Sequence, residues 1–395
     1  MTVLLSPKNG INMSSNNIHL IDTPNKLESV CQTLSLCGEN DFVSVDTEFT
    51  RVKSFFPGLN LIQLCIRQDT YLIDTMAKLD IEPFFKAFTA LKATVLFYSA
   101  REDLEILAYK SRVMGLKRLL PQKCVDIQLL LAFLNLSYSQ GLQSALSDYL
   151  KIELSKDQTR SDWEMRPLTD AQIDYAANDV LYLEQLYLEI MKNCKKDDPR
   201  YTWFETAMLD FAEESCAMPK AEDTYKAVSG AGCLNIKALN VLRELCTYRY
   251  NYAVEHDEAL NRVITGKALC PLARMNSVSE KSLIKANMKF GAIRAHGKMI
   301  VEWHEKARKV KTDESIAFAY DYFACNRDFE KPYKRLRHIL RTVAKEQGIA
   351  EQIICNKQNC NDYFYKMYYK QTPDLMKGWY KECVGHIDYD SLFAE

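Results

Sequence analysis

Long apolar runs are missing from this chain. No stretch of its 395 residues approaches the roughly 18 apolar residues of a membrane-spanning helix. The opening MTVLLSPKNGINMSSNN lacks the basic segment followed by an apolar core that marks a secretory signal. A soluble, cytoplasmic protein without a membrane partner is therefore expected. The thirteen cysteines are odd in number and scattered, with no Cys-x-x-Cys, a pattern that argues against structural zinc or a disulfide framework and fits a reducing compartment. Histidine is scarce, six in all, and only His19 falls in the first 200 residues. Glycine is sparse too, and the pair Gly230 and Gly232 lacks the third glycine and preceding strand of a phosphate or dinucleotide loop.

What is present is unevenly charged. A net charge of −1 divides into −4 over residues 1–200 and +3 over residues 201–395, so attraction for a polyanion must come from local patches rather than the whole chain. The length predicts two or three domains. Residues 1–17 read as a disordered leader, with Met13 as an alternative start. The charged, proline-containing CKKDDPR after Met191-Lys192-Asn193 marks the end of a first domain spanning residues 18–200. Apolar periodicity beyond it, in LNIKALNVLRELCTYRYNYA and then around Leu336, Ile339, Leu340 and Val343, predicts two helical modules over 222–310 and 326–395.

Acidic residues in the first domain carry the chemistry. Phe42–Phe49 is β-branched and aromatic and reads as a strand, so Asp46 and Glu48, two apart, share a face. TVLFY, residues 94–98, reads as a second strand, with Asp103 opening the helical pattern that follows. Thr169 and Gln172 are spaced as a capping box, and the helix they open places Tyr175 and Asp179 on one face, four residues apart. Each piece alone is ordinary: an exposed acid, a helix N-terminal charge, a core aromatic. Together they look like a two-metal phosphodiesterase centre, because hard cations take oxygen ligands and one carboxylate must bridge the pair at roughly 3.5–4 Å.

These segments resemble the DEDD exonuclease superfamily, tyrosine subtype, and within it the ribonuclease D family. The resemblance rests on DTEFTRVKSFFPGLNLIQL (46–64), AREDLEIL (100–107), GLQSALSDYL (141–150) and QTRSDWEMRPLTDAQIDYAANDVLYL (158–183). It implies a mixed α/β, ribonuclease H-like exonuclease domain followed by two all-helical modules of the HRDC type. It implies two divalent ions, Mg²⁺ or Mn²⁺, held by Asp46, Glu48, Asp103 and Asp179. Asp46 would bridge, Glu48 and Asp179 would complete the site of the attacking water, and Asp103 would serve the leaving-group side. Tyr175 would orient that water; a phenol of pKa near 10 is a poor base at neutral pH, so activation must come mainly from metal. The lack of histidine near the motifs excludes the histidine subtype. The family usually carries His-Ala where this chain has Tyr98-Ser99, a departure that touches hydrogen bonding around the site rather than a ligand.

Substrate contacts are less constrained. Phe49, Phe56 and Gln63 read equally as substrate-side residues or as core with a satisfied amide. From Lys281 to Lys298 the chain carries five basic residues and no acid, with Lys281, Lys285 and Lys289 at helical spacing on one expected face; Lys331–Arg341 is a second acid-free run. Both fit either phosphate contact or solvated surface. The implied activity is a 3′–5′ exoribonuclease releasing nucleoside 5′-monophosphates from RNA, tRNA precursors among them, acting as a monomer. The rivals are a DNA-directed exonuclease of the same fold and a silent RNA-binding protein.

Overall fold

A computed structural model describes residues 18–154, 161–192, 194–195 and 197–394; the expected leader and Gln158–Arg160 of the QTRSDW stretch lie outside the described residues. The chain forms two compact units. One takes the chain up to Thr50 and Leu59–Cys216, the other Arg51–Gly58 and Ala217–Glu395.

The first unit is built on a six-stranded mixed sheet of order β1-β4-β3-β2-β5-β6. Its strands are β1 (Ile18–Ile21), β2 (Phe42–Thr50), β3 (Gly58–Ile66), β4 (Asp69–Asp74), β5 (Thr94–Phe97) and β6 (Lys123–Asp126). β3 and β4 form an antiparallel hairpin, whereas β1 runs parallel to β4 and β2, β5 and β6 run parallel to one another. Parallel neighbours need crossovers, and α1 (Pro24–Ser35), α2 (Glu82–Thr89) and α3 (Arg101–Val113) lie in the connections between strands, whereas α4 (Ile127–Phe133), α5 (Leu142–Ala145), α6 (Asp170–Leu181), α7 (Leu183–Met191) and α8 (Pro199–Cys216) follow β6. β2 lies inside the sheet, and Val43, Ser44 and Val45 are all buried, so both of its faces are covered. Its first half is core, leaving its second half to present acids.

The break at CKKDDPR does not end the first unit. Helix α8 begins within it, at Pro199, buries Trp203, Phe204 and Met208, and packs back on α3 and α4. Phe204 stacks edge-on against Phe133 of α4. A polar, proline-bearing turn thus separates two helices of one core.

From Ala217 onward the regular structure of the second unit is helical, with α9 (Ile236–Glu255), α10 (Leu260–Val263), α11 (Gly266–Arg274), α12 (Glu280–Lys285), α13 (Phe290–Lys309), α14 (Tyr322–Cys325), α15 (Glu330–Gln347), α16 (Glu351–Ile354), α17 (Lys357–Tyr368) and α18 (Gly378–Val384) among the described residues. One cluster runs through Leu242, Leu245, Leu269, Leu283 and Ile300; another gathers Phe323, Phe329, Tyr363 and Phe364. Residues Arg51–Gly58 belong here. Phe55 packs edge-on against Tyr250, the Phe56 N–H donates to Asp257, and the Ala259 N–H donates to the Lys53 carbonyl. Phe56 is half-buried, its ring edge-on to Phe55. Among the described residues no helix is long and apolar enough to cross a membrane.

Candidate metal centre

Three elements of the first unit deliver four carboxylates. Asp46 and Glu48 alternate to one face of β2, and Asp179 comes from α6, whose start is fixed by a complete capping box. The Gln172 N–H donates to Thr169 Oγ1 at 3.2 Å while the Thr169 N–H donates to Gln172 Oε1 at 3.0 Å, an arrangement that contributes about 1 kcal/mol and sets the helix register. Ligand oxygens of Asp46, Glu48 and Asp179 lie within 4.8 Å of one another, on side chains that keep part of their surface open. Tyr175, one helical turn before Asp179, donates its phenol to the Asp179 carboxylate and lies beside Trp163. Asp103, in the first turn of α3, is buried and accepts the Thr47 hydroxyl at 2.5 Å.

The electrostatics of the cluster are one-sided. Burial, then the charge of Asp179, holds the Asp46 carboxyl well above the usual carboxylate range. Burial together with Asp46, Asp179 and Asp103 pushes Glu48 up to about 9. Burial raises Asp103 strongly, with Asp46 adding to it and the Thr47 hydroxyl opposing it. Asp179 rises to about 7 through burial, moderated by the Tyr175 phenol. No basic side chain among the described residues enters the electrostatics of any of the four. Buried like charges without a counter-charge are strongly unfavourable; an all-oxygen set of this kind fits hard divalent cations.

Two further groups hold this geometry. Asp126, at the end of β6, caps α4 through the N–H groups of Gln128 and Leu129 and also accepts those of Ser99 and Ala100 at 2.9 and 3.0 Å. Ser99 adopts a left-handed φ of 64°, so this carboxylate secures the strained turn that aims Asp103. Arg166 forks onto Asp74 at 2.7 and 2.8 Å and donates to the carbonyls of Asn60, Trp163 and Met165. It ties the approach to α6 onto β3 and β4. The sequence reading passed over Thr47, Asp126, Asp74 and Arg166. Only Asp126 carried a local signal, an Asp directly before a helix.

Residues 18–195 match a family described as 3′-5′ exonuclease. The ribonuclease D of Haemophilus influenzae is 28% identical over 375 residues, which cover 92% of this chain and 90% of the relative. The crystal structure of Escherichia coli RNase D superposes with a TM-score of 0.77 at 26% identity, covering 95% of this chain and 97% of that one. The catalytic core of RRP6 from Trypanosoma brucei, at 20% identity and a TM-score of 0.53 over 73% of this chain and 79% of that one, shares the fold.

The chain is similar to ribonuclease D along nearly its whole length. Its departure from the family pattern at Tyr98-Ser99 now has a structural reading. The Tyr98 phenol donates to the Gln140 carbonyl at 2.8 Å, beside the Gln128 amide that binds the same oxygen. It fastens the Leu134–Gln140 connection and leaves the carboxylates untouched.

The expected substrate residues fare differently. Gln63 has no exposed surface, and neither of its amide atoms has a hydrogen-bond partner, so it stands behind any surface that a substrate could touch, and its amide is not satisfied either. Phe49 is half-buried on the β2 face that also carries Thr47. Lys281, Lys285 and Lys289 do not share one helix. Helix α12 ends at Lys285, Asn287 takes a left-handed φ of 63°, and Lys289 sits at the N-cap of α13. All three are nevertheless exposed. The second basic run is largely committed internally: Lys334 pairs with Glu330, Arg341 with Glu351, and Arg335 donates to the Leu392 and Ala394 carbonyls.

Proposed function

We propose that this 3′–5′ exoribonuclease works through two divalent cations, Mg²⁺ or Mn²⁺, held by Asp46, Glu48, Asp103 and Asp179, and that it trims the 3′ ends of tRNA precursors and other structured RNAs as a cytoplasmic monomer. The observation that carries the reading is the cluster of four raised carboxylates, into whose electrostatics no basic side chain of the described residues enters. Bound metals would supply a low-pKa water and charge neutralisation at the scissile phosphate. For its part the chain orients: Tyr175 holds Asp179 and would align the attacking water, Thr47 holds Asp103, and Asp126 and Arg166 hold the segments that bear them. Structured RNA as substrate is supported by the similar E. coli protein, described as an exoribonuclease involved in structured RNA processing. Two HRDC-type modules over 222–310 and 326–395 would grip the body of such an RNA.

Matched RNA and DNA oligonucleotides, each labelled at either end and digested with and without Mg²⁺, test this directly. Release of 5′-mononucleotides from the 3′ end of RNA supports the reading. Preferential digestion of DNA would favour the rival exonuclease, and no digestion of either would favour a silent binding protein.

The grip is testable separately. Around the three lysines the surface also exposes Ile284, Arg294, Lys298 and Phe290, the last 72% exposed, so it offers cations to phosphates and a ring to a base. Replacing Lys281, Lys285 and Lys289 together by Glu is expected to weaken binding of a tRNA-sized RNA and flatten its log affinity against log salt by up to about 0.7 per lost contact. Turnover of a short oligonucleotide that fills only the active site should be unchanged. A triple variant with wild-type affinity and salt slope would show these lysines to be ordinary solvated charge.

A further inference from the structure

All thirteen cysteines are described, only two of them are exposed, and those two are neighbours. Cys233 ends a tight turn that starts at Gly230, and Cys325 ends α14, 92 residues later in the chain. The two segments are clasped by Asp321, which accepts the N–H groups of Gly230 and Gly232 at 2.7 Å each. A Cβ on Gly232 would lie 2.4 Å from the backbone N and Cα of Tyr322, so the two backbones touch as only glycine permits. Cys233 directly follows that contact, and Cys325 lies one helical turn beyond Tyr322. The two thiols are near enough for each to bear on the other's ionisation.

We propose that Cys233 and Cys325 form a reversible disulfide, closing the first helical module into a covalent loop of roughly ninety residues. The close approach of the Gly232 and Tyr322 backbones brings the two cysteine segments together, as a bond that needs Cα atoms within about 4.4–6.8 Å requires. The oxidant is a small-molecule disulfide such as oxidised glutathione. The Cys233 thiolate attacks one of its sulfurs and expels one glutathione thiolate; Cys325, giving up its proton, then displaces the second glutathione and completes the protein disulfide. Two protein thiols are oxidised and one small disulfide is reduced to two thiols. Cys233 is the attacking member, because partial burial and the neighbouring Cys233 push the Cys325 thiol up to about 12. Cys355 and Cys360 also bear on one another's ionisation, but both are buried. They provide an internal control: the Cys355 thiol is lowered to about 6, which favours its thiolate, but its burial shields it from an oxidant in solution, which reaches an exposed pair first.

The experiment uses the full chain, equilibrated with oxidised glutathione, alkylated, digested without reductant and read by mass spectrometry. The expected result is a Cys233–Cys325 cross-linked peptide, a melting temperature raised by several degrees, and reversal of both by dithiothreitol. Cys233→Ser and Cys325→Ser should each abolish the cross-link and the melting shift, while digesting a short RNA at the wild-type rate. Separate glutathione adducts on the two cysteines, both thiols still free for alkylation, or a cross-link confined to Cys355–Cys360 would each overturn the proposal.

Discussion

An Asp46→Asn variant is expected to fold, to lose on the order of 10³-fold or more in RNA turnover, and to be more stable than the wild type in the absence of metal. The two effects have one cause. Asp46 is half-buried beside Glu48 and Asp179, and its charge raises the carboxyls of Glu48 and Asp103; an amide of the same shape removes that repulsion and, with it, the ligand assigned to bridge the metals. A purely structural Asp46 would behave in the opposite way, since losing it would lower stability and leave turnover intact. Asp103→Asn and Asp179→Asn should also cost orders of magnitude. Asp103→Asn keeps an oxygen that can accept the Thr47 hydroxyl, so its fold should survive. Tyr175→Phe should be milder, about 10-fold to 100-fold, because it removes an orienting phenol and no carboxylate. Measuring kcat on a labelled oligoribonucleotide alongside metal-free melting curves separates these cases. Wild-type turnover by Asp46→Asn would end the assignment.

Four of the five residues assigned to the centre obey a local rule, and it is their conjunction with Asp103 and the family resemblance that made the set legible. Period two puts Asp46 and Glu48 together, a helix turn puts Tyr175 beside Asp179, and the capping box dates the start of α6 to Thr169. What holds them was not legible, because it consists of pairings between residues far apart in sequence. Thr47 meets Asp103 across 56 positions and Arg166 meets Asp74 across 92, and neither pair leaves a periodic trace. The lysine stripe shows a different limit. Spacing of four assumes a continuous helix, and the left-handed Asn287 ends it. Charge runs were equally ambiguous: the run after Lys331 is spent largely on Glu330, Glu351 and C-terminal carbonyls, whereas Lys281, Lys285 and Lys289 face solvent. The helical segment Pro199–Cys216 begins within a boundary signal yet belongs to the first core, because burial of Trp203 and Phe204 outweighs a polar turn.

Metal should stabilise this protein more as the pH rises, and the sign follows from the direction of the shifts. All four carboxyls titrate higher in the folded chain than in the unfolded one, with Asp179 at about 7 and Glu48 at about 9. Between their unfolded values, near 4, and those folded values, the native state binds more protons than the unfolded state. Stability without metal is therefore greatest below about pH 4 as far as these groups are concerned, and is lost as pH climbs through 7 towards 9. A divalent ion reverses the loss by replacing protons, and it binds only the assembled site. At a hundredfold excess over Kd that linkage is worth about 2.7 kcal/mol, or about 5–10 °C for a unit of this size. In melting curves taken with chelator and with Mn²⁺ or Mg²⁺, the gap between the two should widen from pH 6 to pH 9. In Asp46→Asn both the gap and the decline of the metal-free curve should shrink, since one repelling charge and one ligand are gone together. A gap that stays constant with pH, or one that Asp46→Asn preserves in full, would mean that the cations act elsewhere on the chain.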